Sequence, residues 1–303
     1  MSFFKSKPIQ IVKKQSEFKS QSYSPPTKHL APPLLSNSYT PPQILKKSNN
    51  VEVSIVTVQG EKRVVKKTKW NETHKRCYIF NELDALQTIQ SKYIPKLYGF
   101  HTSLDAQHVW MEIECIEGTD LHQWVKKSNP INKLDVMREL AEGLHEIHCY
   151  SFIHGDIKPE NIMISSSNKI TYIDFGFSSC INPLLPSGKY FRGSIPYMYP
   201  MMYLQKTKPD DYTPDLLKKN DIYGLANVFY FIMKGHPIHK ILPHDNHRTY
   251  MERVLKCNTM INSGFPQLDV LLFQMTNGLV HTQAILDTIL FLQQTGLNLD
   301  NSL

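Results

Sequence analysis

The stretch His154-Gly155-Asp156-Ile157-Lys158-Pro159-Glu160-Asn161 decides the reading of this chain, together with Asp174-Phe175-Gly176, which begins thirteen residues after Asn161. The two segments supply two carboxylates, one amide and one ammonium between apolar, strand-like runs. Each group has a distinct chemical use. An aspartate can accept a proton from an attacking hydroxyl, and a lysine can neutralise a moving phosphate. An asparagine and a second aspartate offer hard oxygens of the kind Mg²⁺ prefers. Asp-Phe-Gly alone is a weak signal and His-x-Asp a moderate one, but their order and spacing make a strong one.

Working outward, 303 residues suffice for a full core or for two lobes sharing a cleft. Hydrophobic residues at 41% and aromatics at 11% fit a globular protein. No apolar run approaches the roughly 20 residues that span a bilayer. The N-terminus has lysines without an apolar signal core, and Ser2 stands where myristoylation requires glycine, so neither a secretory signal nor that anchor is expected. Cys77, Cys115, Cys149, Cys180 and Cys257 follow no paired or metal-type spacing, which predicts reduced thiols and a cytoplasmic setting.

The net charge of +7 is concentrated at one end. Residues 1–50 hold eight lysines and one acid, Glu17, whereas the rest carries 26 basic and 26 acidic residues. The folded part is therefore not expected to bind nucleic acid. Residues 1–43 also hold seven of the nineteen prolines and no glycine. Such a segment buries too little apolar surface to offset its ordering entropy, so it is expected to be a disordered basic tail, or an arm for an acidic partner or membrane.

From Val51 the texture changes. Val51, Val53, Ile55 and Val58 predict a strand with an irregularity at Ile55-Val56. Gln59-Gly60-Glu61-Lys62 reads as a tight turn into a second strand at Val64-Val65-Lys66. Phe80, Leu83, Leu86 and Ile89 predict a helix over 78–92, and Val109 to Ile116 a further strand. Beyond Gly118 the chain reads as mainly helical, with helices at 134–150, 220–234 and 282–294. The expected class is α+β and bilobal, with a strand-rich lobe over 44–116 and a larger helical lobe over 117–303.

The quoted motifs in this order resemble the catalytic and metal loops of the eukaryotic protein kinase family, over roughly residues 44–300. The resemblance implies ATP and Mg²⁺ as cofactors, a protein substrate and a monomeric enzyme. It assigns Asp156 as the general base or orienting group, Lys158 as stabiliser of the transferred phosphate, Asn161 and Asp174 as Mg²⁺ ligands, and His154 as a brace. Lysine at position 158 points to serine/threonine-directed members.

Val64-Val65-Lys66-Lys67 resembles the strand whose lysine holds the α- and β-phosphates. Strand alternation puts Val64 and Lys66 on one face, with Lys67 the alternative. Glu82 would pair with Lys66, and Asp84 competes for that role. Met111 to Leu121 resembles the segment joining the lobes. It implies Ile113 beside the adenine, backbone groups of Glu114 and Ile116 on its edge, and Asp120 near the ribose. Asp221 resembles the aspartate that anchors the catalytic loop from below.

Several positions depart from the family. No glycine precedes Gly60, so the phosphate-covering loop has Ser48-Asn49-Asn50 where glycines are usual. Asparagine tolerates left-handed φ, which would let a turn form there. Gly155 replaces the arginine that reads a phosphorylated activation segment, although Ser178, Ser179, Ser187 and Ser194 remain modifiable. Met201 replaces the glutamate of A-P-E, and no arginine follows Arg253 to pair with it. These departures suggest a divergent lineage, for example viral. A pseudokinase scaffold, or a phosphotransferase acting on small alcohols of the aminoglycoside or choline type, are the alternative functions.

Overall fold

The computed structural model describes residues 42–69, 73–103, 107–127, 132–181, 193–204, 212–257, 260–297 and 299. The tail expected over 1–43 lies almost wholly outside them.

The N-terminal part is an antiparallel sheet of β1 (Gln43–Lys47), β2 (Val51–Val58), β3 (Glu61–Lys69), β5 (His108–Glu114) and β4 (Leu97–Thr102), in the order β1-β2-β3-β5-β4. The β2–β3 turn forms where predicted, because Gln59 and Gly60 both adopt positive φ, 51° and 85°. That geometry suits the right-handed twist of a two-residue hairpin. The expected irregularity in β2 is absent: β2 pairs with β3 without a break, and the shift falls in β1 between Ile44 and Lys46.

Helix α1 (Thr73–Thr88) lies against this sheet. Its Ile79 and Leu83, four residues apart and so on one face, meet Val109 and Met111 of β5. The helix starts five residues earlier than its apolar period predicts and ends at Thr88. Its first turn is polar and so carries no periodic signal.

The C-terminal part centres on α3 (Lys133–Cys149) and α5 (Pro214–Lys234). Side chains of Asn132 and Thr213 cap their first turns by accepting from Leu134 and Leu216 N–H, each cap contributing about 1 kcal/mol. Pro214 opens α5, and Gly235 closes it in the left-handed conformation. Residues on every side of α5 are buried, so it forms the axis of the lobe. Around it stand α2 (Leu121–Lys126), α4 (Pro200–Leu204), α6 (His247–Lys256), α7 (Pro266–Thr276) and α8 (Thr282–Gln294).

The expectation of a mainly helical region needs one correction. A three-stranded sheet, β6 (Gly118–Asp120), β8 (Ile162–Ser165) and β9 (Ile170–Tyr172), and a two-stranded one, β7 (Phe152–Ile153) with β10 (Ser179–Cys180), lie between the helices. These strands are too short to show alternation, yet they fix the two quoted motifs at their ends. The bilobal α+β architecture is as expected.

Candidate active site

A cleft of about 1050 Å³ separates the five-stranded sheet from the helical lobe. Leu45, Val53 and Val64 line it from the sheet, Ile113 to Ile116 from the connection, and Met163 and Ile173 from the other lobe. Its charged and polar lining includes Lys66, Glu82, Lys158, Asn161 and Asp174.

Alternation along β3 sends Val64 and Lys66 into the cleft. Lys67 points to the other face, where its ammonium lies 5.2 Å from the centroid of the Trp110 ring. Lys66 Nζ donates to Glu82 Oε2 at 2.6 Å and Oε1 at 2.9 Å, and to Asp174 Oδ1 at 3.0 Å. Glu82 is buried, whereas Asp84 on the same helix is exposed, so the helix presents Glu82. Burial alone would lower the Lys66 pKa, but the two carboxylates outweigh it and hold the ammonium above the ordinary lysine value. Burial raises the Glu82 carboxyl despite Lys66, while the charge of Lys66 holds Asp174 below the ordinary aspartate value.

The stretch from His154 to Asn161 is held from beneath. Asp221 is fully buried on α5; its Oδ2 accepts the His154 N–H at 2.8 Å and its Oδ1 the Gly155 N–H at 2.9 Å. His148 Nε2 lies 3.1 Å from Oδ2. His154 stands 3.1 Å by Nε2 from the Ile173 carbonyl, and its Nδ1 accepts the Asp156 N–H at 3.3 Å. The tautomer with its proton on Nε2 suits both contacts. The ring also lies against Phe175, with centroids 4.7 Å apart, so His154 ties one motif to the other.

Asp156 Oδ2 accepts from Lys158 Nζ at 2.7 Å and from Asn161 Nδ2 at 2.9 Å; its Oδ1 accepts the Ser194 N–H at 3.0 Å. Lys158 Nζ also donates to Ser194 Oγ at 2.7 Å. Asn161 spends its amide nitrogen on Asp156, leaving its carbonyl oxygen as the ligand group. Asp174 is half-exposed and sits at φ 63°, ψ 69°. A left-handed aspartate is uncommon, and such strain gathers where surrounding structure holds a functional group in place. A carboxylate and an amide carbonyl in one cleft form the sparse hard-oxygen set that suits Mg²⁺ shared with substrate phosphates.

Gly155, where the family has arginine, leaves no room for a side chain in this conformation. Its φ is +81°, and a Cβ would lie 2.3 Å from the Phe177 carbonyl oxygen. The opposite end of the cleft differs from expectation. The β1–β2 turn at Ser48-Asn49-Asn50 does form, but with no positive φ at these positions. Ser48 closes it instead: its N–H and hydroxyl both donate to the Val51 carbonyl, and its hydroxyl oxygen accepts the Val51 N–H.

Ile113, Glu114 and Ile116 line the cleft as expected, although the Glu114 N–H is taken by the Lys96 carbonyl at 2.9 Å. Glu114 can therefore offer a ligand a carbonyl but not an amide. Asp120 Oδ1 caps α2 by accepting the Gln123 N–H at 2.8 Å. Ser178 is a correction: it is fully buried and its hydroxyl donates to the Asn81 carbonyl, so it is closed to modification in this state. Ser187 lies outside the described residues. Ser194 was legible only as a modifiable serine; its bonds to Asp156 and Lys158 were not. Met201 is exposed, and Arg253 pairs with Asp245.

The sequence pattern of the protein kinase domain matches residues 34–277. The chain belongs to the protein kinase domain family. It is similar to an Aurora kinase of Candida glabrata, 29% identical over 181 residues, which cover 58% of this chain and 46% of that protein. It is also similar to a probable serine/threonine-protein kinase 2 of Plasmodium falciparum, 23% identical over 216 residues, covering 67% of this chain and 38% of the other. A probable inactive serine/threonine-protein kinase of Dictyostelium discoideum is 29% identical over 145 residues, 46% of this chain and 12% of that one. The chain spans less than half the length of these relatives. No helix among the described residues is long and apolar enough to cross a membrane.

Proposed function

We propose that this chain transfers the γ-phosphoryl group of ATP to serine or threonine hydroxyls of protein substrates, in the cytoplasm. The observation that carries this reading is the joint assembly of two bonded groups at one cleft: Lys66–Glu82–Asp174 and Asp156–Lys158–Asn161–Ser194. A scaffold without chemistry has no use for so many converging charges in one cleft.

In this reading the adenine lies between Val64 and Ile113, with Glu114 and Ile116 at its edge. Lys66, oriented by Glu82, holds the α- and β-phosphates. Asn161 and Asp174 would hold Mg²⁺, which supplies neutralisation of phosphate charge. Asp156 orients the substrate hydroxyl and accepts its proton. The hydroxyl oxygen bonds to the γ-phosphorus as the bond to the β–γ bridging oxygen breaks, releasing ADP. Lys158 offsets charge on the moving group. The domain boundaries proposed are a tail over 1–43, a small lobe over 44–116 and a large lobe over 117–303.

A non-catalytic pseudokinase is the second reading, favoured by the glycine-free turn at Ser48-Asn50 and by the inactive relative. The test is incubation with labelled ATP, Mg²⁺ and a basic acceptor protein, beside Asp156→Ala and Asp174→Ala. Label on serine or threonine that both substitutions abolish supports the proposal. Label found only on small alcohols moves the assignment to small-molecule transfer, and nucleotide binding without transfer moves it to the scaffold.

A further inference from the structure

Behind the connecting segment Glu114–Ile116 lies a second cavity of about 750 Å³. Leu86, Pro95, Glu114, Cys115 and Ile116 line both it and the nucleotide cleft, so the two share one wall. Its apolar floor is offered by the half-buried Leu97 and Ile116, backed by the buried Ile89 and Ile94. Its rim is cationic. Lys92 and Lys96 come from the α1–β4 connection and Lys169 from the β8–β9 turn, and all three are exposed.

Among the described residues none of these lysines forms an ion pair with a carboxylate. The Lys92 and Lys96 ammoniums instead lie 4.6 and 5.2 Å from the centroids of the Tyr93 and Tyr98 rings. The carboxylates on the same rim are engaged. Glu117 pairs with Lys62 at 3.1 Å, and Glu114 accepts the Lys96 backbone N–H at 3.0 Å.

We propose that this cavity docks an acidic, partly apolar peptide segment of a protein partner. Leucine- or isoleucine-like side chains fit the floor, and separate carboxylates meet the three lysines. The chemistry disfavours other occupants. No aromatic ring lines the cavity to stack a nucleic-acid base. The chain's own first 50 residues, with eight lysines and one acid, carry the same charge as the rim.

The test is fluorescence anisotropy on the full chain with a labelled Glu/Leu peptide and its Lys/Leu counterpart. The Lys92→Glu/Lys169→Glu double variant serves as the comparison, and Lys96→Ala/Lys169→Ala as a milder second pair. These lysines are exposed, so unchanged Tm is expected in both variants. Binding of the acidic peptide alone, weakened about tenfold or more by charge reversal and less by the alanine pair, supports the proposal. Equal binding by wild type and the reversed variant would assign the peptide to the lysine-rich N-terminal residues and overturn it. Absence of binding, equal binding of the basic peptide, or displacement by a single-stranded oligonucleotide more readily than by unlabelled peptide would overturn it as well.

Discussion

The two ends of the cleft are built on different physics. At the end proposed to be catalytic, most of the polar groups are bonded to one another. Asp221 holds the backbone of His154 and Gly155, His154 holds Asp156 and Ile173, and Asp156 gathers Lys158, Asn161 and Ser194. At the covering end a three-residue turn is closed by one serine, and β1 is exposed along its whole length. A network in which each member positions the next tolerates little change, because losing one partner leaves another buried and unsatisfied. A solvated turn has no such dependence. The contrast teaches that the glycines are missing where the fold asks least, and the charged groups are kept where it asks most.

The largest effect is expected at the network. Asp156→Ala and Asp174→Ala should each lower phosphoryl transfer about 10²- to 10⁴-fold in a steady-state assay, the range for losing a positioned acid–base or electrostatic group. Retention of transfer in either would erase the distinction between the two ends.

Gly155→Arg is the next test, since it restores the family's usual residue. The left-handed φ costs about 1–2 kcal/mol with a side chain, and contact with the Phe177 carbonyl adds about 1–3 kcal/mol. Thermal denaturation should show Tm falling by several degrees, with transfer reduced at least tenfold. An unchanged Tm would mean that the close approach of the two motifs relaxes freely.

Glu82→Gln keeps the side chain's size and removes its charge. Lys66 retains Asp174, so the loss is one charge-assisted bond, about 1.5–3 kcal/mol or roughly 10- to 150-fold in kcat/KM.

The same cluster makes a pH prediction. Lys66 holds the Asp174 pKa below its ordinary 3.8, so the stabilisation from that pair is complete above this value and fades as pH falls through the lowered one. Glu82, raised by burial, loses its charge earlier on the same descent. The Tm difference between wild type and Lys66→Met should therefore be largest near neutrality and shrink towards zero below pH 3.8. A constant difference would contradict the ion-pair account.

What was legible in the sequence follows the same division. The motifs at 154–176 carry their order and spacing in one short stretch, and β3 and α5 show clear apolar patterns, so the bilobal fold could be read. Helix α8 fell on the expected residues because its apolar spacing starts with its first turn. Other features depend on contacts distant in sequence. Asp120 also caps the adjacent helix start, a role its motif alone does not announce. Ser194 meets Asp156 across 38 residues, which no local pattern encodes. The short strands β6 to β10 lack the length for alternation to appear.

The smallest expected effect gives the most direct test. Wild type and a Ser48→Gly/Asn49→Gly/Asn50→Gly variant should be compared for kcat and KM towards Mg-ATP with a serine-bearing acceptor protein. A catalytic end complete without the glycines predicts measurable transfer by wild type, with kcat within about threefold and KM for ATP within about tenfold in the variant, differences of roughly 0.6 and 1.4 kcal/mol. Transfer that is absent in wild type and emerges only with the glycines, or is absent in both, would contradict it.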